Sequence, residues 1–155
     1  TCKKLKTLSL FILGSVALVG SYFSLKTDVS FVNTEKAYQI IQQDTTLQNS
    51  IERGKTVYED FCMQCHMATG QGIPGAFPPL AKADYLVKNR TKAIHAVKFG
   101  LKGPITVNGT DYNSVMAPLG LYDDEVADVM NYILNSWGNT SDKLVTEEEV
   151  AAVEE

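Results

Sequence analysis

Cys62-Met63-Gln64-Cys65-His66 constrains this chain more than any other stretch. Residues three apart share one face of a helix, so both sulfurs reach one edge of a flat ligand while the adjacent imidazole turns over its centre. This five-residue pattern is the one in which two thiols add to the vinyl groups of a haem and the histidine ligates the iron. A thioredoxin-like dithiol or half of a zinc site would need a strand-turn-helix context or a second Cys/His pair, and the sequence supplies neither. The remaining cysteine, Cys2, lies far away, which excludes a disulfide framework.

Iron held by His66 needs a sixth ligand from the far side, and the candidates are Met63, Met67, Met116, Met130 and His95. Met63 and Met67 sit in or beside the attachment segment and cannot reach the opposite face. Met130 falls on the apolar stripe of a helix, where methionine serves packing. His95 stands beside Ile94 and Val97 in a helical stretch, where a satisfied helix residue is the simpler reading and bis-histidine ligation the alternative. Met116 lies in a loop before Ala117-Pro118, with enough chain after His66 to wrap the edge of the ligand, and is the favoured sixth ligand.

The coarse pattern is helical. Ser50 is a plausible N-cap for a helix carrying Ile51, Val57, Tyr58 and Phe61 into Cys62. Glycines and prolines between Gly70 and Pro79 exclude helix there, and Ala83 to Phe99 reads as one broken or two short helices. Asn108-Gly109 marks a turn in a small hairpin over Ile105 to Tyr112. Asp123, Asp124 and Glu125 open the clearest helix, whose Val126, Val129, Met130, Ile133 and Leu134 recur at helical spacing up to Trp137 and Gly138.

The amino terminus is a separate object. Lys3, Lys4 and Lys6 precede an uncharged apolar run from Thr7 to Leu25, an export segment that is either cleaved or kept as a membrane anchor. Its length, near the roughly 20 residues that span a bilayer, favours the anchor. The lysines place the start of the chain in the cytoplasm and the remainder on the periplasmic side. The expected organisation is therefore signal or anchor over 1–26, linker with one marginal helix over 27–49, folded domain over 50–138 and acidic tail over 139–155. Leaving out the four lysines before residue 27, ten basic residues face eighteen acidic ones, a net charge of −8. Such a charge argues against nucleic acid as a partner. Lys82, Lys88, Arg90, Lys92, Lys98 and Lys102 form a basic stretch, and both it and the acidic tail read as solvated faces, with the basic one a candidate docking surface.

In order along the chain, Gly54 and Tyr58, the attachment pentad, Phe77-Pro78-Pro79-Leu80, Met116 and the amphipathic last helix resemble the class I monohaem c-type cytochromes of bacteria, over roughly Ile51 to Trp137. That resemblance implies an all-α cytochrome c fold in which about three main helices wrap one covalent haem c. It also implies that Gly54 lets the first helix cross the last closely near Val129 and that the Pro78 carbonyl accepts a hydrogen bond from His66; which Lys or Tyr contacts the propionates it does not assign, and Tyr112 is the candidate. The expected function is electron transfer with His/Met ligation, from a quinol-oxidising complex to a terminal oxidase or periplasmic reductase. A closed six-ligand iron is no catalyst. The rival readings are a gas sensor or peroxidase, which needs an open sixth position, and a fixed subunit of a larger respiratory assembly.

Overall fold

A computed structural model describes residues 34–155. The export or anchor segment over 1–26, the lysines that orient it and Cys2 lie outside the described residues. Among the described residues, no helix is long and apolar enough to cross a membrane.

Six helices and one hairpin follow in order: α1 (Thr34–Phe61), α2 (Met63–His66), α3 (Asp84–Lys88), α4 (Arg90–Phe99), β1 (Ile105–Val107), β2 (Thr110–Tyr112), α5 (Asp123–Leu134) and α6 (Glu147–Ala151). The first helix corrects the expected boundary at residue 50. It runs unbroken for 28 residues, so 34–49 is helix rather than linker. Thr45 and Thr46, which would favour a break, turn their hydroxyls back onto the carbonyls of Ile41 and Gln42 at 2.9 and 2.8 Å and stay within the helix. Ser50 is no N-cap. It is buried, and its hydroxyl donates to Asp128 Oδ1 at 2.6 Å rather than accepting from its own backbone.

Helices α1 and α5 cross at backbone contact. A Cβ on Gly54 would stand 1.9 Å from the Asp128 carbonyl oxygen, so this position admits only hydrogen. The crossing is polar on one flank and apolar on the other. On the polar flank Arg53 forks onto Asp128 through Nε at 2.6 Å and Nη2 at 2.7 Å. Asn131 donates to Ser50 Oγ at 2.8 Å and to the Val145 carbonyl at 2.9 Å, and its own oxygen accepts the Val145 N–H at 2.8 Å. On the apolar flank Tyr58, Val126, Val129 and Met130 are almost wholly buried. Tyr58 packs tilted against Trp137 and Tyr132, with ring centroids at 4.9 and 5.4 Å.

The acidic tail is also corrected: it is part of the fold. Val145, Val150 and Val153 are buried, and α6 packs on α5. Thr146 caps α6 by accepting the Glu149 N–H at 3.2 Å. The basic stretch meets this segment instead of facing solvent throughout. Arg90 donates to both carboxylate oxygens of Glu149, at 2.7 and 2.9 Å, and to the Leu144 carbonyl at 3.1 Å. Lys98 pairs with Asp123 at 3.0 Å and donates to the Val150 carbonyl at 2.9 Å, near the end of α6. Lys82, Lys92 and Lys102 remain exposed.

The hairpin forms with Ile105 opposite Tyr112 and Val107 opposite Thr110. Asn108 and Gly109 both have positive φ, the backbone that a tight two-residue turn demands. Asp84 ties this turn to α3: its carboxylate accepts the Asn108 N–H at 2.7 Å while the Asn108 side chain accepts the Asp84 N–H at 2.9 Å.

Substituting Gly54→Ala should destabilise the fold by about 2–3 kcal/mol or more, since two backbones must separate; denaturant unfolding of the purified holoprotein checks it. The Arg90 guanidinium holds the Glu149 carboxyl below its usual range. A carboxylate depressed in the folded state stabilises above its unfolded pKa of about 4.3 and loses that contribution as pH falls further. Wild type should therefore exceed Glu149→Gln by about 1 kcal/mol at neutral pH, the gap closing below about pH 4. A gap that is constant across this range in pH-resolved melts would contradict the pairing.

Candidate functional site

Cys62 ends the run of α1, and α2 follows at once, with the His66 N–H donating to the Cys62 carbonyl at 2.9 Å. One nearly continuous helical segment therefore presents Cys62, Cys65 and His66 together. They face an apolar cleft of about 300 Å³, walled also by Phe77, Pro78, Leu101, Ile105, Tyr112 and Met116. Its inner end continues into a smaller, almost wholly apolar chamber that shares Cys62, His66, Pro78 and Met116 and reaches Leu86, Val97 and Met130. Such a lining with a few convergent polar groups is what a large, flat, mostly apolar ligand requires.

The histidine is fixed by the opposite loop. Its Nδ1 lies 3.0 Å from the Pro78 carbonyl. A carbonyl can only accept, so Nδ1 carries the proton and Nε2 is left with its lone pair for a metal. Burial pulls the His66 pKa below its ordinary value, against the opposing pull of the Pro78 bond. The neutral imidazole, the ligating form, is thereby favoured. The same loop closes on itself through Ile73 and Phe77, whose N–H groups donate to each other's carbonyls at 2.8 and 2.9 Å. Tyr58 anchors the start of that loop by donating to the Met67 carbonyl at 2.7 Å.

The two thiols differ. Burial, followed by the charge of its neighbour Cys65, pushes Cys62 up to about 11, whereas Cys65 is partly exposed at the cleft mouth. As a free thiol Cys62 is protonated at neutral pH and a poor thiolate nucleophile.

Of the residues singled out from sequence, Cys62, Cys65, His66, Pro78, Tyr112 and Met116 all wall this one cleft. Met63, Met67 and His95 do not. His95 instead packs its ring against Phe99, with centroids 5.2 Å apart. Met130 borders the inner chamber but is wholly buried in the α1–α5 core. Sequence reasoning missed Leu101, Ser114 and Phe61 as lining residues. An apolar residue directly after the Gly100 helix stop was the available signal for Leu101; nothing local marks Ser114.

The family model for Cytochrome c matches residues 51–137. Cytochrome c-552 of Thermus thermophilus is 45% identical over 91 residues, covering 56% of this chain and 69% of that protein. The gluconate 2-dehydrogenase cytochrome c subunit of Pantoea cypripedii is 34% identical over 106 residues, 66% of this chain and 24% of that subunit. The cytochrome c subunit of the quinone alcohol dehydrogenase of Gluconobacter oxydans is 31% identical over 115 residues, again 24% of its own length.

Replacing Cys62 and Cys65 together by alanine removes both thiols of the pentad. Haem should then leave the denatured protein in acidic organic solvent, whereas wild type should retain it through denaturing electrophoresis with haem staining. Retention by the double variant would disprove attachment at these two residues.

Proposed function

The chain belongs to the cytochrome c family, whose members bind covalent haem c and carry electrons, and on that premise we propose that it is an electron carrier with His66 and Met116 as axial ligands. The observation that supports this most is a single apolar cleft bounded by both thiols, the Pro78-oriented imidazole and the Met116 segment. The bound group supplies a one-electron couple between ferrous and ferric iron. The protein's own residues do the rest. Cys62 and Cys65 would hold the group covalently, and His66, its ring angle set by the Pro78 carbonyl, would offer Nε2. Met116, across the same cleft, would offer its thioether sulfur to the group and so leave no place for a small ligand. The apolar walls would keep water from the bound group and solvate an added positive charge on it poorly. Thioether ligation and burial both favour the reduced state and imply a comparatively high reduction potential. Tyr112, buried in the wall with no hydrogen bond to its hydroxyl among the described residues, is suited to a propionate.

The apolar run behind Lys3, Lys4 and Lys6 supports export to the periplasmic side of the inner membrane, with that run as an anchor when it is kept. The electron donor and acceptor would be a quinol-oxidising complex and a terminal oxidase or periplasmic reductase. The likeness to the two dehydrogenase cytochrome c subunits supports a second placement, as the cytochrome c subunit of a dehydrogenase complex. Lys82, Lys92 and Lys102 are exposed and available to an acidic surface on either kind of partner.

The oxidised protein should show the weak far-red sulfur-to-iron absorption of methionine-ligated haem. In Met116→Ala that band should vanish and the reduction potential should fall by on the order of 100 mV, within the span that axial ligands control. A spectrum without the band in wild type would return the sixth position to histidine or leave it open, and with it revive the sensor reading.

A further inference from the structure

We propose that Gly100 and Ser114 are positioning residues that harness the main chain on either side of Met116, so that its sulfur is not displaced by outside ligands. The inference rests on the His66/Met116 ligation proposed above.

Met116 and Leu119 rest against the core, but the chain between and beside them is thinly covered. Val115 is 67% exposed, and Ala117 and Pro118 are also exposed. A stretch so thinly buried opens easily unless something else holds it. Two tethers do so here. At the first, Leu101 and Met116 exchange backbone hydrogen bonds, Leu101 N–H to Met116 O at 2.8 Å and Met116 N–H to Leu101 O at 2.9 Å. This isolated bridge is reached only because Gly100 ends α4 with φ 84° and ψ 176°, a backbone state essentially confined to glycine. A Cβ there would lie 2.6 Å from the Met116 carbonyl oxygen and 2.9 Å from the Pro118 nitrogen. Any side chain at 100 would thus push away the segment that the bridge secures.

At the second tether, the Ser114 hydroxyl donates to the Ala76 carbonyl at 2.6 Å. Ala76 lies two residues before Pro78, whose carbonyl orients His66. Ser114 therefore links the loop that sets one axial ligand to the loop that carries the other. Movement of the Met116 main chain away from the cleft requires breaking the Leu101 bridge, the Ser114 link or both. In population terms, the tethers lower the fraction of molecules with an open sixth position, and an external ligand is weakened by that fraction.

The test is an imidazole titration of the oxidised holoprotein, followed by the far-red band, for wild type, Ser114→Ala, Ser114→Thr and Gly100→Ala. Amide hydrogen exchange at Leu101 and Met116 accompanies it. Ser114→Ala should bind imidazole roughly fivefold more tightly, the equivalent of one net hydrogen bond, and Ser114→Thr should restore wild-type affinity. Gly100→Ala should show a larger increase and faster exchange at both amides. If Gly100→Ala does not accumulate as holoprotein, the Ser114 pair decides alone. Unchanged imidazole affinity in Ser114→Ala, with the band present in wild type, overturns the harness and leaves Met116 ligation standing, even if the variant melts earlier. Absence of the band from wild type overturns both.

Discussion

Everything in this molecule is referred to the point where two helix backbones touch at Gly54. Because no side chain separates α1 from Asp128 and Val129, the axial position and rotation of α1 against α5 are set by main-chain contact rather than by adaptable packing. Cys62 and Cys65 follow on the same helical run, so their height above the cleft floor is fixed by that crossing two turns earlier. The Arg53–Asp128 fork and the Ser50–Asn131 bonds then prevent rotation about the contact point. The attachment edge of the cleft is in this sense a rigid extension of the helix pair.

The opposite side of the cleft is built differently. From Gly70 to Pro79 and from Gly100 to Gly120 the chain is loop and hairpin, where Val107 and Tyr112 reach the core and isolated hydrogen bonds tie the stretches between. One wall is a helix pair and the other is a looped chain with a few anchors and ties, and the histidine and methionine lie on either side of that division. The C-terminal segment belongs with the helix pair: Asn131 pairs with both backbone groups of Val145, while Arg90 and Lys98 fasten α4 to α6. Through α4 this reinforcement extends to the first of the ties, at Gly100.

The sequence disclosed what depends on neighbours along the chain. The attachment pentad, the Asn108-Gly109 turn, the break between α3 and α4 and the acidic first turn of α5 are all local patterns, and each stands in the structure where spacing placed it. The Met116 position could be narrowed by asking which sulfurs could physically reach the cleft. What escaped reading depends on residues far apart. Ser50 carries the signature of a helix cap, yet its hydroxyl is captured by Asp128, 78 positions later. Glu147 to Glu155 has the composition of a solvated tail, but Val150 and Val153 lie on one face of it and are covered. Five acidic residues among nine outweighed two valines in a reading by composition; in three dimensions the valines and the Arg90–Glu149 pair decide.

The unbroken α1 changes what the stretch ahead of the attachment site can transmit. Sixteen residues precede Ser50 within the helix, about 24 Å at a rise of 1.5 Å each, with Tyr38, Ile40 and Ile41 exposed along it. A coil of that length would let its two ends wander relative to each other by a comparable distance. A helix instead acts as a strut. Any torque or displacement applied at Thr34 is delivered to Cys62 through one continuous hydrogen-bonded rod, so the orientation of the attachment edge and that of whatever grips the far end of α1 are mechanically one variable.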